Sequence, residues 1–205
     1  PAAKAPEAVG HTFSGWTGEV TTMGTEDVTV EGYWTINSYD LVYKVDGAEY
    51  NKSSVAFGAA LSAIDAPTKA GYTFSGWSKV PATMPANDVE ITGSFSANTD
   101  TAYVVKYYLQ NIDDDEYTED EDAKVEDTGT TDTTATAEVS APTGFHFNEE
   151  ESTVRGNIAG NGSLVLNVYY DRDVHEVSYS YTGKVRPVDE PEVPATASYK
   201  HGATV

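Results

Sequence analysis

The chain has no cysteine among its 205 residues. Disulfide staples and thiolate metal sites are therefore excluded. Such a composition suits a cytoplasmic protein or a bacterial exterior, and disfavours a eukaryotic secreted mini-domain. Basic residues are scarce: 12 Lys and Arg stand against 33 Asp and Glu, for a formal net charge of −21. Nucleic acid is excluded as a partner, because its phosphates require Lys and Arg. An anionic membrane surface is disfavoured for the same reason. Like charge of this size keeps a chain soluble and extended. No apolar run reaches the roughly 18 residues of a membrane span, and no signal peptide is visible.

What is abundant points to strands. The chain holds 14 Tyr, 17 Gly and 9 Pro, with much Thr and Val. These are strand formers and turn formers. The sequence also says one thing twice. The segment from Ala5 to Trp16, containing Gly10-His11-Thr12-Phe13-Ser14-Gly15-Trp16, returns from Ala66 to Trp77 as Gly71-Tyr72-Thr73-Phe74-Ser75-Gly76-Trp77. The match runs on without a gap: Met23 with Met84, Val28 with Val89, Val30 with Ile91, Gly32 with Gly93, Trp34 with Phe95, Asn37 with Asn98. A fixed-period repeat of this kind indicates an array of small modules that lean on their neighbours for stability.

Four segments follow. Residues 1–38 read as the back half of a module, opening on an extended Ala/Pro stretch over 1–8. Residues 39–98 read as a complete module. Tyr39 to Val45 alternates as a strand, Asp46-Gly47 is a hairpin signal, and Glu49 to Phe57 is the return strand. Gly58-Ala59-Ala60-Leu61-Ser62-Ala63-Ile64 reads as a short helix ending before Pro67. Tyr72 to Trp77 and Val89 to Phe95 are further strands around a loop at Pro81 to Asp88. The order strand, strand, helix, strand, strand predicts a mainly β or α+β fold: tandem small β-grasp (ubiquitin-like) modules in an elongated array.

Residues 99–173 read as a second kind of module. Tyr103, Val105, Tyr107 and Leu109 share one strand face, and Leu164, Leu166, Val168 and Tyr170 share another. An acidic run forms a loop or hairpin tip between, and a short helix is expected near Ala135 to Val139. Residues 174–205 read as the front half of a further repeat. There Val177 to Gly183 resembles Leu41 to Gly47, Tyr199 to Ala203 resembles Val55 to Ala59, and Pro187, Pro191 and Pro194 stiffen the insert between. A chain that starts and ends inside modules reads as an excerpt of a longer protein. The two half-modules could complement each other between chains head to tail, but a monomer with poorly ordered ends is the reading preferred.

Gly71-Tyr72-Thr73-Phe74-Ser75-Gly76-Trp77, with Met84-Pro85-Ala86-Asn87-Asp88-Val89 and a strand ending in Phe95, closely resembles the Listeria–Bacteroides repeat, the B-repeat of internalin-type surface proteins. Residues 39–98 follow that pattern throughout. Residues 5–37 follow its back half, with His11 in place of the Tyr and Gly24 in place of the Pro. Val104 to Asn111 and Val168 to Asp173 resemble the mucin-binding-protein-type (MucBP) repeat. Both resemblances imply β-grasp-like modules of a secreted, wall-attached Gram-positive surface protein. Neither brings a catalytic motif, a cofactor or a ligand.

The residues themselves carry little chemistry. His11, His146, His175 and His201 are dispersed and lack metal-ligand spacing. No Gly-x-Ser-x-Gly elbow and no phosphate-binding loop occurs. The weak Ca²⁺ candidate is the acidic run Asp113, Asp114, Asp115, Glu116, Asp120 and Asp122. It offers hard oxygen ligands but not the Asp-x-Asp-x-Asp-Gly spacing, so a solvated acidic tip is the plainer reading. Trp16, Trp34 and Trp77 could stack on sugars, yet a Trp recurring at one repeat position is more simply core. No spacing supports a Lys–Asn isopeptide crosslink, and the Asn51-Lys52-Ser53 and Asn161-Gly162-Ser163 triplets read as coincidence. The expected function is a non-enzymatic stalk or spacer segment at a bacterial surface, contributing to adhesion, with recognition of a host glycan or protein as the alternative.

Overall fold

The computed structural model describes residues 4–18, 20–183 and 187–205. Residues 1–3 of the expected Ala/Pro stretch lie outside them. The chain divides into two compact units, Pro1–Ser96 and Ala97–Val205.

The first unit carries β1 (His11–Phe13), β2 (Trp34–Ile36), β3 (Ser38–Val45), β4 (Ala48–Ala56), β5 (Tyr72–Phe74), β6 (Val89–Gly93) and β7 (Phe95–Ala97). β1 and β2 form an antiparallel pair, β5 and β7 another, and β4-β3-β6 a three-stranded sheet. The β3–β4 hairpin turns at Asp46 and Gly47, both at positive φ (50° and 81°), as a two-residue primed turn demands. β3 then lies parallel to β6, Leu41 opposite Val89 and Tyr43 opposite Ile91. Alternation sends Leu41, Tyr43 and Ile91 to one face, where they meet Met84 in the core. Tyr39, Val55, Leu61, Ile64, Trp77 and Val80 pack around them.

The second unit carries β8 (Thr101–Gln110), β9 (Tyr117–Glu119), β10 (Val125–Gly129), β11 (Thr134–Thr136), β12 (Phe145–Thr153), β13 (Arg155–Asn157), β14 (Val165–Arg172), β15 (Val174–Val177) and β16 (Ala197–Lys200). Its main sheet runs β10-β8-β14-β12, with β9 also on β8. β8 and β14 are parallel and central, so their inner faces are the most apolar: Val105, Leu166, Val168 and Tyr170 are buried. Ala135, Ala137 and Ile158 cover them from the crossover. β15 and β16 form a separate antiparallel pair.

The expected α+β, β-grasp class is not what the chain adopts. Among the described residues there is no helix, and a β-grasp requires one packed on the sheet. Residues 58–64 are the clearest case. Gly58 sits at φ +77°; its N–H donates to Met84 O (2.9 Å), Met84 N–H to Ala59 O (2.9 Å) and Leu61 N–H to Ala82 O (3.0 Å). These non-local bonds within the chain replace the i→i−4 bonds of a helix. Seven residues recover few such bonds against the cost of nucleation. Leu61 and Ile64 still reach the core from extended backbone. The helix expected near 135–139 fails similarly: Thr134–Thr136 pairs with Arg155–Asn157, and Ala137 N–H donates to Val154 O (2.8 Å). β-branched Thr favours that choice. The resemblance of Val177 to Gly183 to Leu41 to Gly47 does not extend to the strand, because β15 ends at Val177. β3 extends to Val45 with β6 along its second edge, whereas β15 is paired on one edge only.

Candidate functional surfaces

The acidic run is split by the fold. Asp113, Asp114, Asp115 and Glu116 lie in the loop between β8 and β9, while Asp120 and Asp122 lie in the turn after β9. Asn111 Nδ2 and the Glu116 N–H both donate to Asp114 Oδ1 (2.9 Å each). Where loop oxygens converge, the chain supplies its own cation. The Lys200 ammonium donates to Asn111 O (3.1 Å), to Asp114 O and to Asp115 Oδ1 (3.0 Å). Asp120 instead closes its own turn by accepting from the Ala123 N–H. Among the described residues no group of three or more His, Asp or Glu is arranged to hold a metal ion.

The tryptophans divide by repeat copy. Trp77 is a core residue: its Nε1–H donates to Ile64 O (3.0 Å) and its ring meets Tyr43 and Phe74 edge-on, each at 4.9 Å. Trp16 and Trp34 flank Phe13 at 5.0 and 5.1 Å but stay exposed. The histidines do not gather into one site. His146 Nδ1 meets Asp173 Oδ1 at 2.9 Å with Asp171 beyond it, His175 and His201 rings approach to 6.3 Å, and His11 lies in β1 of the other unit.

The most organised polar surface lies on the outward face of the second unit's sheet, and the sequence reading passed over it. Parallel register sets Tyr169 opposite Tyr108, and their rings stack at 4.6 Å and 12°. Tyr117 stands edge-on to Tyr169 at 4.9 Å. Its hydroxyl donates to Asp171 Oδ1 and accepts from Asn148 Nδ2 (3.0 Å), which also reaches both Asp171 oxygens. Desolvation, then the bond to Asp171, pushes the Tyr117 hydroxyl up to about 12. Beside it Lys106 donates to Glu119 Oε2 (2.8 Å), which raises the lysine. Among the described residues the other Glu119 oxygen is buried with no hydrogen-bond partner. The legible signal was the doubled tyrosine, Tyr107-Tyr108 and Tyr169-Tyr170. In each pair one ring goes inward and one outward.

On the inner side a cavity of about 280 Å³ opens between Tyr107, Leu109, Val125 and Tyr170, with Asp120 and Glu138 among its lining. Tyr107 donates to Glu138 O (3.1 Å), and Tyr170 accepts from the Ser140 N–H (2.9 Å). Burial raises both tyrosine hydroxyls.

Comparison with known proteins bears out the first resemblance. Residues 39–102 match the Listeria-Bacteroides repeat domain. The chain is 33% identical over 114 residues to internalin H of Listeria monocytogenes, a match covering 46% of this chain and 21% of internalin H. It is 31% identical over 81 residues to a Gly-rich membrane protein of Evansella cellulosilytica, covering 33% of this chain and 9% of that protein. The chain thus spans about a fifth or less of either relative. The matched segment is similar to the Listeria-Bacteroides repeat domain and to part of internalin H. Among the described residues no helix is long and apolar enough to cross a membrane.

Proposed function

We propose that this chain is a repeat segment of a wall-anchored bacterial surface protein, acting outside the cell as a spacer that contributes to adhesion. The repeated motif supports this most directly. In both copies its aromatic residues pack on each other in one geometry. Phe13–Trp16 lie at 5.0 Å and 71°, Phe74–Trp77 at 4.9 Å and 73°; Phe13–Trp34 lie at 5.1 Å and 53°, Phe74–Phe95 at 5.3 Å and 58°. The residues that define the repeat therefore serve module architecture. We take residues 39–98 and 99–173 as two modules, the second MucBP-like, and 1–38 and 174–205 as parts of others, with the chain acting as a monomer. The test is replacement in the parent protein. An unrelated module pair of equal length that restores adhesion supports the spacer, and loss of adhesion despite normal display overturns it.

A second reading rests on the outward face of the second unit. Tyr108, Tyr117 and Tyr169 with Asn148 and Asp171 combine aromatic rings with fixed hydrogen-bonding groups, the mixture that suits a host glycan or protein epitope. Glycan-array binding lost in Tyr108→Ala would favour it; no binding by the unmodified chain would remove it.

A further inference from the structure

Two places, one in each unit, hold the same arrangement of atoms although their sequences differ. In the first, Asn37 is the only residue between β2 and β3. Its N–H donates to Gly10 O (2.9 Å), extending the β1–β2 ladder one step past His11 opposite Ile36. Its carbonyl accepts from the Phe57 N–H (2.8 Å), extending the β3–β4 ladder one step past Ser38 opposite Ala56. In the second, Asp173 is the only residue between β14 and β15. Its N–H donates to Gly144 O (2.9 Å), next to the pair Phe145 and Arg172, and its carbonyl accepts from the His201 N–H (2.7 Å), next to the pair Val174 and Lys200.

The side chains agree as well. The linker carboxamide or carboxylate takes a contact from the second residue after the glycine: Thr12 Oγ1 to Asn37 Oδ1 at 2.6 Å, His146 Nδ1 to Asp173 Oδ1 at 2.9 Å. A ring then closes each site. A Cβ on Gly10 would fall 2.2 Å from Phe57 Cγ, and one on Gly144 would fall 2.1 Å from His201 Cδ2. Both glycines sit at positive φ, 72° and 80°, where other residues are strained. Each ring also stands edge-on to the residue after its glycine, Phe57 to His11 at 5.7 Å and His201 to Phe145 at 6.4 Å. A second positive-φ glycine, Gly58 or Gly202, then turns the chain away.

We propose that these are docking joints between consecutive modules. The positive-φ glycine is a seat on the preceding module, and the ring that follows the second strand of the next module is the plug. The partner this surface fits is a neighbouring module presenting an aromatic ring followed by glycine. A linker whose N–H and C=O both sit in ladders has lost the φ/ψ freedom by which modules on a free linker swing apart. The ring excludes water from those two hydrogen bonds and so protects the hand-over. The joint is independent of the spacer reading, and it stands or falls on its own test.

That test is amide hydrogen exchange by NMR on the full chain. In Phe57→Ala and Gly10→Ala, the Asn37 and Phe57 amides should exchange at least tenfold faster, while β3 and β6 keep their protection. In His201→Ala the Asp173 and His201 amides should do the same. Gly15→Ala is the control, because Gly15 has φ +86° with open space around it: it adds backbone strain without blocking the seat, and should leave Asn37 protected. Phe57→Tyr keeps the ring and should retain protection. Unchanged exchange in both ring deletions overturns the proposal. So does equal loss in Gly15→Ala, which would assign the effect to strain. If Gly10→Ala unfolds β3 and β6 as well, the Phe57 Ala and Tyr pair decides alone.

Discussion

At the residue scale, identical positions in the repeat do unequal work. Met84 and Ile91 are each 1% exposed, whereas their counterparts Met23 and Val30 are 64% and 37% exposed. The difference lies in what covers them: Leu41, Tyr43 and Leu61 close over the second copy. Ile91→Ala should therefore cost about 2–5 kcal/mol in chemical denaturation, and Val30→Ala under about 1 kcal/mol. Comparable losses would mean the first copy is covered in solution. Tyr117 makes a second prediction. Its hydroxyl is raised to about 12 in the folded chain against about 10 in an unfolded one. The folded state holds that proton more tightly. Its contribution is complete below pH 10 and is lost as pH rises from 10 to 12. Thermal midpoints across that window should fall, and Tyr117→Phe should flatten part of the slope. Tyr103, Tyr107, Tyr108 and Tyr170, also raised, should supply the rest.

At the scale of elements, the sequence was legible where local chemistry and pairing agree. Asp46-Gly47 marked the hairpin, and alternation in Tyr39 to Val45 and Leu164 to Tyr170 marked the strands that fill the cores. It misled at Gly58 to Ile64, where alanine content suggests helix. The backbone there pairs with residues 82–84, a non-local choice no window of sequence contains. The outward Tyr108–Tyr169 stack was hidden for the same reason, since only the parallel register brings those rings together. The Lys200 clasp on the acidic loop is equally non-local. Lys200→Met should leave the β8–β14 sheet intact while speeding exchange of the β15 and β16 amides several-fold. Because the ammonium already occupies the loop oxygens, millimolar Ca²⁺ should leave the thermal midpoint of the unmodified chain in place.

At the scale of the whole chain, two cores share no residue: one built on Leu41, Tyr43, Met84 and Ile91, the other on Val105, Leu166, Val168 and Tyr170. Each belongs to its own unit. Calorimetry should therefore resolve more than one transition, and Leu166→Ala should lower only one of them. A single transition lowered as a whole would show that the units unfold together.

The single residue between sheets sets a rule for how such a chain can change length. The N–H and C=O of Asn37 serve two ladders at once, so one extra residue beside it would carry one of those groups out of phase with its ladder while β3 keeps its own pairing with β4 and β6. Growth by whole repeats preserves this phase, and growth by single residues at the hand-over breaks it. Length that respects this phase is added in copies of the repeat or within loops such as the one between β8 and β9.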